Sequence, residues 1–458
     1  MIVYFRLATD SFLVSGKTDG AIYDLGRNRL LLLDPGAAAL LKRCERNQPT
    51  DDLAPGSAEM ALLDKLVQRG VGNFLPSPHF VEKLQFQSPV RFQGIAADPP
   101  RFDRLTFQIT DRCGLACKTC RLEGHQATWQ PCTACLMRAL PGERAHPSGD
   151  DFDALFDDLR RLEFKNLHLR GGDPLAEPDL LADLLRRAAA RYPELIIFVT
   201  TPGEGHLPNL ATVSNQVRFN VVLLGTSAKD YEEAAGCGAA WDRVVSNVDS
   251  LRAADSQGAG RLLVTILLTE TTRARKDELL AFAKDRWGLT PGLAETYPYP
   301  LTGWEGPPRF SHVGPRAKPV APFRDTWEFF FRAYNNTCLF GGADLGLDGG
   351  FRPCAWVDEV FGHWPAESLH KAMSRPQPYH YWELTKESIE GCRECALRYA
   401  CADCTVAELD GQLLPGVREM YCPLNLSEDL AVGRVRPVLG PAEFIEEIVL
   451  AEGSGHRG

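Results

Sequence analysis

Apolar and polar positions along this chain change period twice. Residues 1 to about 88 carry short apolar runs separated by polar turns. Val3–Leu7 and Ser11–Ser15 read as strands, and Ala21–Leu25 with Arg29–Asp34 reads as a hairpin joined through Gly26-Arg27-Asn28. Pro35 suits a first helical turn and opens a helix over Gly36–Arg43. Within Ser57–Arg69, residues Met60, Leu62, Leu63, Leu66 and Val67 fall at helical spacing, and Gly70 ends that helix.

Pro89, Pro99 and Pro100 mark a linker, after which the pattern alternates. Strands are expected at Leu105–Thr110, Asn166–Arg170, Leu195–Thr200, Arg218–Leu224, Leu262–Leu268 and Leu293–Tyr299. Helices are expected between them at Asp150–Glu163, Pro178–Arg191, Leu207–Val213 (a short piece), Ala239–Ala253 and Arg275–Arg286. This order predicts an α/β fold, a parallel sheet with helices outside and ligands at the carboxyl ends of the strands. A second Pro- and Gly-rich linker spans 303–325, followed by an aromatic helical stretch, Trp327–Tyr334.

A length of 458 residues suggests two or three domains, and 44% hydrophobic with 24% charged residues is the balance of a soluble globular protein. A net charge of −10 argues against a general binder of nucleic acid or anionic membranes. The start of the chain lacks the basic region and apolar core of a signal peptide, and no apolar run is long enough to span a bilayer. A cytoplasmic protein is expected. There the 14 cysteines would stay reduced, so clustered ones read as metal ligands.

Three cysteines stand at C-x3-C-x2-C spacing in Cys113-Gly-Leu-Ala-Cys117-Lys-Thr-Cys120, just after the first strand of the alternating region. Three thiolates on one loop hold three irons of a [4Fe–4S] cluster and leave the fourth iron open. A zinc site is the alternative, and it would need a fourth protein ligand. The loop resembles that of the radical S-adenosylmethionine (SAM) enzymes, with Thr119 where the family usually has an aromatic residue. That resemblance implies a partial (β/α)6 barrel over residues 100–302. It also gives meaning to Gly171-Gly172-Asp173-Pro174 after the second strand. The family carries a similar stretch there, whose backbone and acid hold the SAM amino group. Thr200–Gly203 and Gly225–Ser227, at the ends of the next two strands, either line the SAM pocket or form ordinary turns.

Seven further cysteines lie between Cys338 and Cys422: Cys338 and Cys354 around Gly349, then Cys392, Cys395, Cys401 and Cys404, then Cys422. In a reducing compartment such a set demands metal. A pair of zinc ribbons is one reading. The pattern resembles the SPASM extension of radical SAM peptide maturases, here over residues 326–430, with one residue fewer between Cys401 and Cys404. The resemblance implies two auxiliary iron–sulfur clusters: an outer one on Cys392, Cys395, Cys401 and Cys422, and an inner one on Cys338, Cys354 and Cys404. Cys132 and Cys135 form a C-x2-C pair outside that pattern, either a metal or redox hook or plain loop thiols. Cys44 and Cys237 read as structural.

The element order of residues 1–88 resembles the winged-helix peptide-recognition module of peptide-modifying enzymes, in which a leader peptide adds as a strand to a sheet edge. Together these resemblances imply an enzyme that cleaves SAM and modifies a ribosomally made precursor peptide, with a small redox protein as electron donor. Oxidation of a Ser or Cys in a sulfatase is the alternative, but Ala355 stands where those relatives have a catalytic Asp after the cysteine. A non-catalytic iron–sulfur electron carrier is a third. No catalytic side chain is assigned.

Overall fold

A computed structural model describes residues 3–85, 102–117, 147–255, 260–268, 272, 274–295, 326–355, 357, 359–389 and 392–401, with strand backbone at 129–130, 297–298, 318–320, 435–437 and 445–448. The chain divides into two compact units. One comprises Met1–Gly94, Phe310–Cys338 and Trp382–Gly458, the other Ile95–Arg309 and Leu339–Tyr381.

In the first unit the strands are β1 (Tyr4–Leu7), β2 (Ser11–Ser15), β3 (Gly20–Asp24), β4 (Arg29–Leu33) and β5 (Gly72–Leu75). The helices α1 (Pro35–Glu45) and α2 (Ala58–Gln68) fall where the sequence pattern puts them. Asp34 caps α1 by accepting the Ala37 N–H at 2.7 Å, and Ser57 caps α2 by accepting that of Met60 at 3.2 Å. Antiparallel pairing joins β2 to β3 and β3 to β4, while a parallel strand, Ile445–Ile448, completes a four-stranded sheet beyond β4. β1 pairs separately with β5.

Both faces of this sheet are covered. Ile22, Leu31 and Leu33 pack with α1 and α2 residues such as Leu41, Leu63 and Leu66. On the other side Tyr23, Leu30 and Leu32 pack with Phe329 and Phe330 of helix Thr326–Tyr334 and with Cys395, Ala396, Leu397 and Ala400. The Tyr23 hydroxyl donates to the Ala396 carbonyl at 2.9 Å and Arg398 donates to that of Ser15 at 3.0 Å. The cysteine-bearing segment thus shares a core with β2, β3 and β4.

In the second unit six parallel strands follow in chain order: β6 (Arg104–Gln108), β7 (Asn166–Arg170), β8 (Ile196–Thr201), β9 (Val217–Leu223), β10 (Leu262–Leu268) and β11 (Gly292–Glu295). The fold is therefore mixed α/β with a parallel sheet. Helices α3 (Gly149–Arg161), α4 (Pro178–Arg191), α5 (Ala228–Ala235), α6 (Ala240–Ala254) and α7 (Lys276–Trp287) connect them. Alternate strand residues Leu105, Phe107, Leu167, Leu169, Ile197 and Val199 are buried, as are Phe152, Leu155, Phe156 and Leu159 of α3. Ser148 and Asp151 form a reciprocal capping box at the start of α3.

Beyond β6 the sheet continues with β12 (Gly342–Leu345), parallel to β6, then antiparallel β13 (Gly350–Arg352) and β14 (Gly362–His363). Gly349, in the β12–β13 turn, has φ +75°, and a Cβ there would meet the Trp364 carbonyl oxygen at 2.0 Å. Only glycine fits. Among the described residues no helix is long and apolar enough to cross a membrane.

Candidate functional site

Three loops converge at the carboxyl ends of β6, β7 and β8. The first runs from Thr110 to Cys117. The Thr110 hydroxyl accepts the Arg112 N–H at 3.0 Å and Leu115 buries its side chain, which fixes the loop carrying the two partly exposed thiols of Cys113 and Cys117. Cys120, expected as the third ligand, lies outside the described residues.

The second is the Gly171-Gly172-Asp173-Pro174 turn. Gly171 and Gly172 have φ +95° and +50°. A Cβ on Gly172 would meet the Arg112 carbonyl oxygen at 2.2 Å, and one on Gly171 the Thr110 carbonyl oxygen at 2.7 Å. The Asp173 N–H donates to the Arg112 carbonyl at 2.6 Å. Two bare backbones lie against the cysteine loop because neither carries a side chain.

The third loop follows β8. Asp173, fully buried, reaches into it: Oδ1 accepts the Leu175 N–H at 3.0 Å and the Thr201 hydroxyl at 2.5 Å, and Oδ2 accepts the Gly205 N–H at 2.8 Å. Burial pushes this carboxyl above its ordinary range, and the Thr201, Leu175 and Gly205 donors oppose that rise. The acid expected to meet a ligand is engaged with the protein. The turn's backbone is the part that lies against the cysteine loop. Asn247 of α6 locks the third loop by donating to the carbonyls of Gly203 and Gly205, both at 2.8 Å. Gly114 lets Glu204 approach the cysteine loop, since a Cβ there would meet Glu204 Oε2 at 2.1 Å; Arg243 holds that carboxylate at 2.5 Å.

Of the two later turns weighed for the pocket, Thr200 and Thr201 are buried and Thr201 serves Asp173. In the other, the Thr226 N–H is taken by Asp230 at 2.8 Å, and Asp230 pairs with Arg275 at 2.6 Å. Thr201 lies in a turn that the sequence pattern marks, whereas nothing in the local sequence marks Gly205, Glu204 or Asn247.

Two thiols share a detail that bears on an iron–sulfur group. The Leu115 N–H donates to Cys113 Sγ at 3.5 Å, and the Leu397 N–H to Cys395 Sγ at 3.4 Å. Each is an amide two residues after its cysteine. Cysteine thiols are the donor type such a group takes, and both places carry them. Cys392, Cys395 and Cys401 are buried in the first unit, where Cys338 is also found, its N–H donating to Asn336 Oδ1 at 3.0 Å. Cys354 follows β13 in the second unit. Among the described residues no three His, Cys, Asp or Glu side chains gather as a metal cage. Cys404, Cys422, Cys132 and Cys135 lie outside the described residues. Cys44 is buried, its thiol pushed up to about 11 by desolvation, as suits a structural residue.

No family model matches the chain. Over 189 residues it is 25% identical to the mycofactocin maturase MftC of Mycobacterium tuberculosis, in the H37Rv and CDC 1551 strains alike. The match covers 41% of this chain and 42% of those curated relatives, so it spans less than half their length. Among solved structures, SuiB of Streptococcus suis bound to S-adenosylmethionine is 12% identical, with 88% of this chain and 96% of that chain covered and a TM-score of 0.43. Native anSMEcpe with bound AdoMet and Cp18Cys peptide is 13% identical, with 70% and 94% covered and a TM-score of 0.46.

Proposed function

We propose that this chain is a radical SAM enzyme that modifies a ribosomally made precursor peptide. The observation that carries the reading is the contact of the Gly171-Gly172 turn with the loop bearing Cys113 and Cys117, fixed by the 2.6 Å bond from Asp173 to Arg112. The 25% identity to a peptide maturase over 189 residues supports the substrate class.

In this reading Cys113, Cys117 and Cys120 hold a [4Fe–4S] cluster. Such a cluster would supply one-electron reduction of SAM, the chemistry from which hydrogen abstraction at a peptide carbon would start. The chain's own part is positioning. Carbonyls of the Gly171–Gly172 turn accept from the SAM amino group. Asp173, through Thr201 and Gly205, keeps that turn in register with the loop after β8. The six parallel strands form a partial (β/α)6 barrel with this site at their carboxyl ends, the position ligands take in barrels.

Residues 1–88 act as the winged-helix leader-binding module and residues 326–430 as the SPASM extension. Cys392, Cys395, Cys401 and Cys422 hold an outer auxiliary cluster, and Cys338, Cys354 and Cys404 an inner one. A small redox protein supplies electrons, and the enzyme works in the cytoplasm. The test is anaerobic reconstitution with iron and sulfide counted, then dithionite and SAM. Roughly twelve irons per chain, as three [4Fe–4S] clusters require, with 5′-deoxyadenosine formed, supports the whole reading. About four irons with SAM cleavage removes the auxiliary clusters. Zinc with no cleavage overturns it.

A further inference from the structure

We propose that Glu204 is a positioning residue that sets the reduction potential of the group on the cysteine loop: its carboxylate, laid against Gly114 and held there by Arg243, keeps a fixed negative charge beside Cys113. That group is the iron–sulfur cluster of the reading above, on which this inference rests.

Gly114 stands between Cys113 and Leu115 in the chain. A Cβ on it would stand 2.1 Å from Glu204 Oε2, 2.7 Å from Cδ and 3.2 Å from Oε1, so the whole carboxylate crowds one backbone position of the loop. Gly171 and Gly172 have left-handed backbones, but Gly114 does not. Its bare α-carbon is used for the close approach of an acid rather than for a turn. Glu204 lies three residues past the end of β8, and its side chain is only 16% exposed. A charge mostly withdrawn from water is poorly screened.

Helix α6 fixes the acid in place. Arg243 Nη1 donates to Glu204 Oε1 at 2.5 Å and to the Glu204 carbonyl at 3.4 Å. One turn further along the helix, Asn247 donates to the carbonyls of Gly203 and Gly205, on either side of Glu204. The two charges of the pair are unequal in effect. Arg243 is 53% exposed, so water and salt screen it, whereas Glu204 faces the loop. The charge is felt nearby: burial is the main cause that raises the Asp173 carboxyl, and Glu204 adds to it. Arg112, the other charged residue next to Cys113, already pairs with Glu177 at 3.0 Å.

Iron–sulfur potentials follow the net charge and solvent exposure around the cluster. An anion repels an added electron, so Glu204 makes the centre harder to reduce and a stronger electron donor once reduced. Arg243 tempers that effect by partial neutralisation.

The test is an EPR-monitored redox titration of the full chain after anaerobic reconstitution, read on the signal that changes when SAM is added. Glu204→Gln keeps the side chain's size and removes its charge. Its midpoint should rise by at least about 28 mV, a threefold change in the ratio of reduced to oxidised centre at about 59 mV per tenfold. Gly114→Ala keeps every charge but pushes the carboxylate off the loop, and should shift the midpoint upward too. Arg243→Gln removes the counter-charge while Asn247 still fixes the loop, and should lower the midpoint. Opposite signs for Glu204→Gln and Arg243→Gln follow from a charge, whereas a loosened loop would move both the same way. An unchanged midpoint in Glu204→Gln, or shifts of one sign in those two variants, overturns the proposal and leaves the iron–sulfur reading standing. A wild-type chain with no SAM-responsive iron–sulfur signal overturns that reading and the proposal with it.

Discussion

The backbone N–H of Asp173 donates to the carbonyl oxygen of Arg112 at 2.6 Å, joining the glycine turn after β7 to the residue that precedes Cys113. The Asp173 side chain then reaches Thr201 at the end of β8 and Gly205 beyond it. One residue therefore sets the spacing of three strand ends, with its main chain on one side and its carboxylate on the other.

Gly172→Ala tests the first half of that arrangement. A left-handed residue with a Cβ costs roughly 1–2 kcal/mol. The added methyl would also stand 2.2 Å from the Arg112 oxygen, so the loop bearing Cys113 must move. SAM affinity measured by equilibrium dialysis should fall at least about tenfold, the cost of about 1.4 kcal/mol, while far-UV circular dichroism stays native. Affinity within twofold of wild type would detach the turn from the SAM site.

Asp173→Asn tests the second half. All three groups facing the carboxylate are donors, so the ionised form suits them despite its burial. An Asn amide turns an NH2 toward at least one of those donors. Leaving a buried donor without an acceptor costs about 1–3 kcal/mol. A lower urea midpoint is expected, together with faster exchange at the Gly205 amide. An unchanged midpoint would mean that the carboxylate does not tie the loops.

His168 on β7 gives an acid-sensitivity prediction. Burial first, then the nearby Arg170 and Arg104 charges, depresses its pKa from 6.5 to about 3. Its ring lies 4.7 Å from that of Phe198, and Arg170 donates to its Nδ1 at 3.3 Å, a bond that a neutral imidazole accepts. The unfolded chain binds the proton below pH 6.5 and the folded one does not until about pH 3, so stability from this residue is present above 6.5 and lost as pH falls toward 3. The full slope is about 1.4 kcal/mol per pH unit. His168→Gln should flatten urea stability against pH between 6 and 4. An identical profile for both proteins would refute the assignment.

What the sequence pattern reveals is local. Pro35 and Gly70 with the period of apolar residues place α1 and α2, the alternating pattern places α3, and strand runs place β6 to β10. Helix α5 escapes the pattern, although Ser227 caps it and Gly236 ends it at φ +61°, because eight residues with few large apolar positions give a weak period. β12 to β14 escape because two to four residues hold too little alternation. Pairing is less legible still. Nothing near Leu30–Leu33 announces Ile445–Ile448, and nothing near Asp173 announces Gly205, since both contacts are decided by folding of distant segments. The cysteine spacings are legible because ligand chemistry acts over short loops. Gly349 stood out in the same pattern, and its reason is steric: the Trp364 carbonyl occupies the space a side chain would need.

Tyr23 provides the last prediction, and it concerns the cysteine-bearing segment rather than the glycine turn. The side chain is fully buried, its hydroxyl donates to Ala396, and its ring lies 5.2 Å from Phe329 and 6.0 Å from Tyr399. Cys395 belongs to the same apolar cluster. Emptying this position should loosen the backbone between Cys392 and Cys401, because large aromatic-to-Ala changes in a core cost about 3–5 kcal/mol. Tyr23→Phe keeps the ring and removes only the donor, leaving the Ala396 carbonyl without this partner at a cost of about 1–3 kcal/mol. If the segment holds a cluster, Tyr23→Ala should lose about four irons per chain after reconstitution and keep SAM cleavage, whereas Tyr23→Phe should keep both. Full iron content in Tyr23→Ala would show that the N-terminal strands do not support the cysteine ligands, and loss of SAM cleavage with it would show that their support extends to the SAM site as well.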